Sequence, residues 1–386
     1  EQTAKVAGID EYEITAKLMG SDFELMTAYH PFIDRKSVVL NGEHVTLDAG
    51  TGCVHTAPGH GADDFNICKH YDDAGLPTIG VVVPVDGRGV LTEEAGKYQG
   101  LRFDKANGAI LADLRESGAL LAAESMVHQY PHCWRCENLL IYYARESWYI
   151  RTTQFKEQLL EQNRQIDWYP GFVGEKRFGE WLANNVDWAL SRDRFWGTPL
   201  NIWICEDCGE KSSVGSIGEL VKRGKLKDGS SVPEDIELHR PYIDDVKLTC
   251  PKCGGGMNRT QEVIDCWFDS GSMPFAQWHY PFENKDTFDS ELFPADFISE
   301  GIDQTRGWFY SMLAIGTLYK GRSSYKSCLV NDLILDAKGQ KMSKSKGNSV
   351  DPIELMQTFG ADAIRWYLVE ISPPWVPTRF DVEGVK

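Results

Sequence analysis

Apolar positions in the second half of this chain follow two rhythms in turn. The run at residues 328–335, Cys-Leu-Val-Asn-Asp-Leu-Ile-Leu, predicts a buried strand, and Phe297-Ile298-Ser299 predicts the end of another. Between them Trp308, Met312, Ile315 and Tyr319 recur at spacings of four, three and four, which puts them on one face of a helix, with Asp303 ahead of it as an N-cap. Strand, turn, helix and strand succeed one another, so the predicted class is α/β. The turn Asp336-Ala337-Lys338-Gly339 leads the chain out at a strand's carboxyl end, where ligands settle in open α/β sheets.

The first third has a different texture. Residues 1 to about 122 are Gly-rich, with short apolar runs at Val38-Val39-Leu40 and Val81-Val82-Val83 that read as strands and helical stretches at 64–71 and 107–117, together one α+β unit. Residues 123–187, which include Tyr142, Tyr143, Trp148 and Tyr149, read as a connector with helices. The strand–loop–helix pattern runs over 188–204, is interrupted by a polar, cysteine-bearing insert at 205–255, and resumes over 256–348. A helical region follows from residue 349, headed by Asp351-Pro352.

With 386 residues and 42% hydrophobic content, the chain is long enough for two or three cored domains. It contains no apolar run of membrane-spanning length and opens on Glu1 without a secretory signal, so it reads as cytoplasmic and as a piece of something larger. The net charge of −17 excludes broad, non-specific nucleic-acid binding. An RNA partner would have to be met by local patches such as Lys341/Lys344/Lys346 or Arg192/Arg194.

Those lysines mark the first candidate site. Lys341-Met342-Ser343-Lys344-Ser345-Lys346-Gly347-Asn348 concentrates ammonium groups on a Gly- and Ser-containing loop suited to following phosphoryl oxygens, although its spacing is not that of a Walker loop. The bland reading is a solvated basic loop. A second cluster, Glu300-Gly301-Ile302-Asp303-Gln304, puts two carboxylates and an amide at a strand-to-helix junction, where they could accept hydrogen bonds from an ammonium group and ribose hydroxyls, or serve only as helix-end acids.

A third candidate is the loop at 50–64, Gly-Thr-Gly-Cys-Val-His-Thr-Ala-Pro-Gly-His-Gly-Ala-Asp-Asp, which ends at a helix start. Its glycines permit close approach to a ligand, and an acid there can hold a substrate ammonium; His55, His60, Asp63 and Asp64 also form the donor set of a metallohydrolase. The ten cysteines supply the fourth candidate. Cys205/Cys208 and Cys250/Cys253 are two C-x-x-C pairs, each followed by glycine, that together offer four thiolates to a structural Zn²⁺. Cys133/Cys136 is a third pair with no evident partner, while Cys53, Cys68, Cys266 and Cys328 stand singly among apolar neighbours and read as core.

The lysine string resembles the KMSKS signature of class I aminoacyl-tRNA synthetases. With residues 300–304, Trp267-Phe268-Asp269-Ser270-Gly271-Ser272 and Ser191-Arg192-Asp193-Arg194-Phe195-Trp196-Gly197, the chain resembles the isoleucyl members of that class over essentially its whole length; valyl and leucyl members share the architecture. The resemblance implies the second half of a split Rossmann-like catalytic fold, an α+β, β-rich editing domain portion over 1–122, a small zinc-binding insert, and the start of a helical junction over 349–386. It implies a chain that starts within the editing insertion and stops before the anticodon-binding helices. No H-x-G-H string and no threonine-rich editing segment is present, so the expected enzyme is incomplete.

The activity implied is ATP-dependent activation of L-isoleucine, with Mg²⁺ accompanying ATP, then transfer to tRNA(Ile) and hydrolytic editing of valyl-tRNA(Ile). Lys341 and Lys344 would be catalytic; Lys341, Met342, Ser343, Lys344 and Ser345 would bind ATP; Glu300, Gly301, Asp303, Gln304 and Trp308 would hold the aminoacyl adenylate. His55 and Asp64 fall at editing-site positions, Asp64 holding the amino group of the mischarged residue. Editing follows from energetics, since one methylene in an apolar pocket is worth only about 1–3 kcal/mol, a limit for which isoleucine against valine is the standing example. The family also implies a partner for Cys133/Cys136 upstream of Glu1. The rival functions are a stand-alone deacylase and a zinc-bearing tRNA-binding module without catalysis.

Overall fold

The structure is a computed structural model that describes residues 2–47, 51–125, 127–133, 135–343 and 346–386. The chain divides into two compact units, Glu1–Glu146 and Ser147–Lys386.

The first unit is built on helices Ala62–Asp73 and Phe103–Glu116 and an antiparallel pair, Thr27–Tyr29 with Lys36–Val38. Cys68 and Tyr71 are buried on the first helix and Ala106 on the second, and Val85, Ala95 and Tyr98 are buried in the same unit. Both helices begin earlier than the apolar pattern predicts. Val81-Val82-Val83 forms no strand. Its backbone is met instead by Gly59, where any Cβ would lie 2.1 Å from the Val82 carbonyl oxygen, so this glycine serves chain-to-chain packing.

The second unit centres on a parallel sheet in the order Ala295–Gly301, Tyr325–Asn331, Asp167–Tyr169. Helix Trp308–Lys320 joins the first two strands, an α/β crossover. Phe309, Met312, Leu313 and Ala314 pack on the sheet beside Trp168, Phe178 and Tyr325, while Ile315 packs among Phe275, Phe288 and Phe293 on the other side. The helix is therefore buried almost all round and not along one stripe, as an apolar circumference requires. Tyr319, expected on the buried face, is 54% exposed. Nor does Asp303 cap this helix: the N-cap is Gly307, and Asp303 lies one turn earlier in a 3₁₀ segment, Ile302–Arg306.

Residues 147–187, part of the stretch read as a connector, lie within this unit and supply the third strand and buried Leu159, Ile166, Val173 and Leu182. The apolar run at 328–335 is also two elements. It breaks at Asp332, whose N–H donates to Pro374 O, after which Ile334–Leu335 pairs with Thr378–Arg379. The cysteine-bearing insert is more than a polar excursion. It is a five-stranded antiparallel sheet, ordered Lys211–Ser213, Ile202–Cys205, Gly256–Arg259, Val246–Thr249, Gly224–Leu226, over its own core of Trp203, Val246, Leu248 and Met257. Each such side chain contributes about 1.5–3 kcal/mol on burial. Arg259, fully buried, bolts the insert down by donating to Asp244 Oδ1 and to the carbonyls of Leu200 and Glu262.

Helix Pro352–Phe359 starts as its sequence predicts, with Asp351 Oδ1 accepting from Ile353 N at 2.8 Å. Among the described residues no helix is long and apolar enough to cross a membrane.

Candidate functional site

Parallel pairing forces neighbouring strands to end on the same side. Strand Ala295–Gly301 delivers Glu300 and Gly301 to the sheet's carboxyl edge, and its register sets Glu300 against Val330 and Gly301 against Asn331, the end of the central strand. The central strand leads onward to the lysine loop. The Glu300-to-Gln304 turn thus leaves at the edge where an open sheet holds ligands, and the lysine loop follows from the end of the neighbouring strand by way of Ile334–Leu335, which pairs with Thr378–Arg379 in a separate sheet.

Glu300 is exposed and has no partner among the described residues, which leaves its carboxylate free for a ligand. Gln304 is tied in place. Its Oε1 accepts from Trp308 N at 2.9 Å, the capping role expected of Asp303, and its Nε2 donates to Asp303 Oδ2 at 3.1 Å. Trp308 donates through Nε1 to Ser270 O at 3.1 Å, which joins the helix to Cys266–Gly271. Gly271 permits the contact: a Cβ there would come within 2.8 Å of Ser311. The Trp267 ring and Gln304 Oε1 both crowd the bare backbone of Gly307, so Trp267 borders the same junction, a placement that composition and spacing did not reveal.

Asp265 gives no local signal of its role either, since its side-chain partners Arg192 and Trp188 are more than seventy residues away in sequence. Its side chain, 5% exposed, accepts from Arg192 at 2.7 Å, Trp188 Nε1 at 3.1 Å and Trp267 N at 3.2 Å. One buried carboxylate therefore fixes the Ser191-to-Gly197 and Trp267-to-Ser272 strings to one another, consuming the charge of Arg192 that read as an RNA patch. Asp269 in the same helix is held above the usual carboxylate range by burial, with the Asp265 charge adding to the effect.

The lysine loop is held from inside. Asp336 accepts from Lys338 N and Gln340 N through Oδ1 and from Asn348 Nδ2 at 2.8 Å through Oδ2; these bonds, the Gln340 N–H foremost, keep its carboxyl below the usual range. Asn348 Oδ1 in turn accepts from Ser343 N at 2.9 Å. Met342 packs toward Ile364, Phe380 and Val385, an apolar anchor within a polar loop. Lys341 and Lys346 are exposed and carry no ion pair among the described residues. Lys344 and Ser345 lie outside the described residues.

The thiols of Cys205, Cys208, Cys250 and Cys253 all lie within 4.8 Å of one another, with Cys205 Sγ to Cys253 Sγ at 3.5 Å and Cys208 Sγ to Cys250 Sγ at 3.7 Å. A regular tetrahedron of Zn–S bonds of about 2.3 Å has edges of about 3.8 Å, so the cage fits that ion. Lys252 N and Gly255 N donate to Cys250 and Cys253 Sγ at 3.4 Å, stabilising thiolates. Each turn closes identically: Gly209 N to Cys205 O at 3.1 Å and Cys205 N to Glu210 O at 2.8 Å; Gly254 N to Cys250 O at 3.0 Å and Cys250 N to Gly255 O at 2.8 Å. The glycines sit at φ 70° and 79°.

Cys133/Cys136 repeats this backbone, with Glu137 N to Cys133 O at 2.7 Å, Cys133 N to Asn138 O at 2.8 Å, and Glu137 at φ 57°. No further ligand group converges on it among the described residues. Of the single cysteines, Cys68 and Cys328 are buried as expected, but Cys53 and Cys266 are exposed: apolar sequence neighbours do not bury a residue on a loop or at a helix start.

In the first unit, Asp64 sits in the first turn of helix Ala62–Asp73, whose N-cap is Gly61. Its Oδ2 accepts from Ala57 N at 3.1 Å and its Oδ1 lies 3.9 Å from His44 Nε2. His55 is exposed on the preceding loop, and its charge reaches His30, whose pKa is lowered chiefly by burial and then by Arg35 and His55. His60 Nδ1 is engaged with Tyr142 O at 2.7 Å. His55, His60, Asp63 and Asp64 do not gather as metal ligands; among the described residues only the four cysteines of the insert do.

The family described as tRNA synthetases class I (I, L, M and V) matches residues 8–380. The chain is 50% identical over 380 residues to an isoleucine–tRNA ligase of Clostridium acetobutylicum, covering 97% of this chain and 36% of that protein. It is 49% identical over 358 residues to the isoleucine–tRNA ligase of Thermus thermophilus, covering 93% and 33%. The chain thus spans 36% or less of the length of these two relatives.

Proposed function

The chain belongs to the class I tRNA synthetases, and on that premise we propose that it is part of an isoleucine–tRNA ligase that activates L-isoleucine with ATP and Mg²⁺, transfers it to tRNA(Ile) and edits valyl-tRNA(Ile) by hydrolysis. The observation that carries this reading is that the Glu300-to-Gln304 turn and the segment leading to the lysine loop leave the same carboxyl edge of the parallel sheet, in a chain half identical to isoleucine–tRNA ligases.

In this reading the free charge of Lys341, with Lys344 beside it in sequence, offsets negative charge that builds on the α-phosphate and departing pyrophosphate; Ser343 and the loop backbone help to bind ATP, and Met342 anchors the loop. The unpartnered Glu300 receives the ammonium or ribose hydroxyls of the adenylate. Asp303 and Gln304, already bonded to each other, present a fixed polar pair, and Trp308 gives the amino-acid side chain an apolar wall. The Asp336–Asn348 clamp fixes the loop before substrate arrives, which lowers the entropy lost on reaching the transition state. Cys205, Cys208, Cys250 and Cys253 would hold Zn²⁺ in a closed shell that serves structure, with no position open for chemistry. Residues 1–122 would form part of the editing domain. There Asp64 would hold the amino group of the mischarged valine, with His55 alongside.

The test is isoleucine-dependent ATP–pyrophosphate exchange by the enzyme that contains this sequence. Lys341→Ala should lower kcat by about 10²–10³-fold with KM for isoleucine nearly unchanged. Asp64→Asn, which keeps an acceptor for the Ala57 N–H, should leave exchange intact and slow deacylation of valyl-tRNA(Ile). A rise in KM alone for the first, or loss of exchange in the second, contradicts the roles given.

A further inference from the structure

Two guanidinium groups at the sheet's carboxyl edge have no ion-pair partner among the described residues. Arg306 ends the 3₁₀ turn Ile302–Arg306 that follows strand Ala295–Gly301; Arg177 lies in the π-helical turn Val173–Phe178 that follows strand Asp167–Tyr169. These are the two outer strands of the sheet, so their turns flank the central strand that leads to the lysine loop. The arginines are close enough for the charge of Arg177 to act on Arg306.

Each is oriented by a neutral group. Arg306 lies over the Trp181 ring, 4.8 Å from its centroid, and that ring is itself fixed edge-on against Tyr310. Arg177 Nε donates at 3.3 Å to Thr305 Oγ1, a fully buried hydroxyl that donates to Ile302 O. No carboxylate pairs with either arginine among the described residues, and the nearby Asp303 bonds Gln304. Two like charges held side by side cost energy, and in a chain with 57 acidic side chains against 40 basic ones an acidic partner would be the simple remedy. A site that leaves both charges uncompensated is arranged for an external anion. At the end of the outer strand and just before the Arg177 turn, Tyr169 and Phe172 are 52% and 50% exposed, flat surfaces on which unpaired bases can stack.

We propose that Arg177 and Arg306 bind the phosphodiester backbone of a single-stranded RNA segment, with Tyr169 and Phe172 available to its bases, and so lead an RNA end toward the Glu300-to-Gln304 turn. The assignment deepens the synthetase reading and rests on it. The aromatic surfaces favour RNA over the triphosphate of ATP, the other source of the same anion.

The experiment measures binding of the 386-residue chain to a labelled single-stranded RNA of about 12 nucleotides by fluorescence anisotropy across a salt series, with ATP binding measured in parallel. Arg306→Gln should reduce the slope of log K against log salt by about 0.7, and Arg177→Gln/Arg306→Gln by about 1.4, with ATP affinity unchanged. Arg306→Lys, which keeps the charge and gives up the planar stack, should retain the slope; a merely structural arginine would make Lys fail like Gln. If Arg306→Gln lowers the unfolding midpoint, Arg177→Gln, exposed and held by one hydrogen bond, carries the test. An unchanged RNA slope in the double variant overturns the proposal, as does a loss confined to ATP. A wild-type chain that binds no RNA at low salt overturns the proposal and leaves the family assignment, which rests on sequence, in place.

Discussion

The turn at residues 133–136 and the turns at 205–208 and 250–253 share a backbone and differ in what surrounds them. All three close by the same two main-chain hydrogen bonds and all three pass through a left-handed residue after the second cysteine. In the insert, antiparallel pairing of Ile202–Cys205 with Gly256–Arg259 and of that strand with Val246–Thr249 brings two turns face to face, and four thiols converge. At 133–136 no second turn arrives among the described residues. A C-x-x-C string therefore encodes half of a four-thiol cluster, and strand pairing elsewhere decides whether the other half meets it.

The comparison breaks most visibly at Cys208. Cys208→Ser should abolish the roughly one zinc per chain expected of a closed four-thiolate shell, and the insert should loosen, because structural zinc supplies on the order of 10–16 kcal/mol in small zinc domains. Elemental analysis and amide exchange over 205–255 check both parts. Retention of a full equivalent of zinc would show that Cys208 is not a ligand.

A smaller effect tests whether the turns are alike in energy as in shape. Gly254→Ala forces a side chain into φ 79° and should destabilise the insert by about 1 kcal/mol. Glu137→Gly should do the opposite at φ 57°, stabilising its turn by about 0.5–1 kcal/mol. Denaturant midpoints measure the two, and equal signs would mean that the shared backbone conceals different strain.

The smallest expected change sharpens the contrast. Cys136→Ser should leave zinc content and unfolding midpoint as they are, since two thiols cannot close a tetrahedral shell. Loss of an equivalent of zinc would show that this pair binds metal in the isolated chain.

Much of the local structure was legible in the sequence. Asp351-Pro352 starts a helix where its chemistry says it should, glycine after each C-x-x-C of the insert marks a left-handed turn, and the apolar crossover helix at 308–320 was found, because these depend on residues within a few positions of one another. Errors arose where a local signal met a competitor that the pattern does not rank. Val81-Val82-Val83 reads as a strand, but among the described residues no partner strand pairs with it and Gly59 packs on it; Asp303 reads as a cap, but Gln304 reaches the helix N–H.

The sequence by itself determined the chemistry on offer: free lysines on a loop, acids at a junction, thiols in pairs. Tertiary structure decided which of these groups share a place. Parallel register aligned the carboxyl ends of strands 295–301 and 325–331, buried Asp265 tied Arg192 to Trp267, and Arg177 came to bond Thr305 beside Arg306, 129 residues away. Side-chain identity is a property of single positions, whereas a site is a distance between positions, and only the folded backbone sets distances.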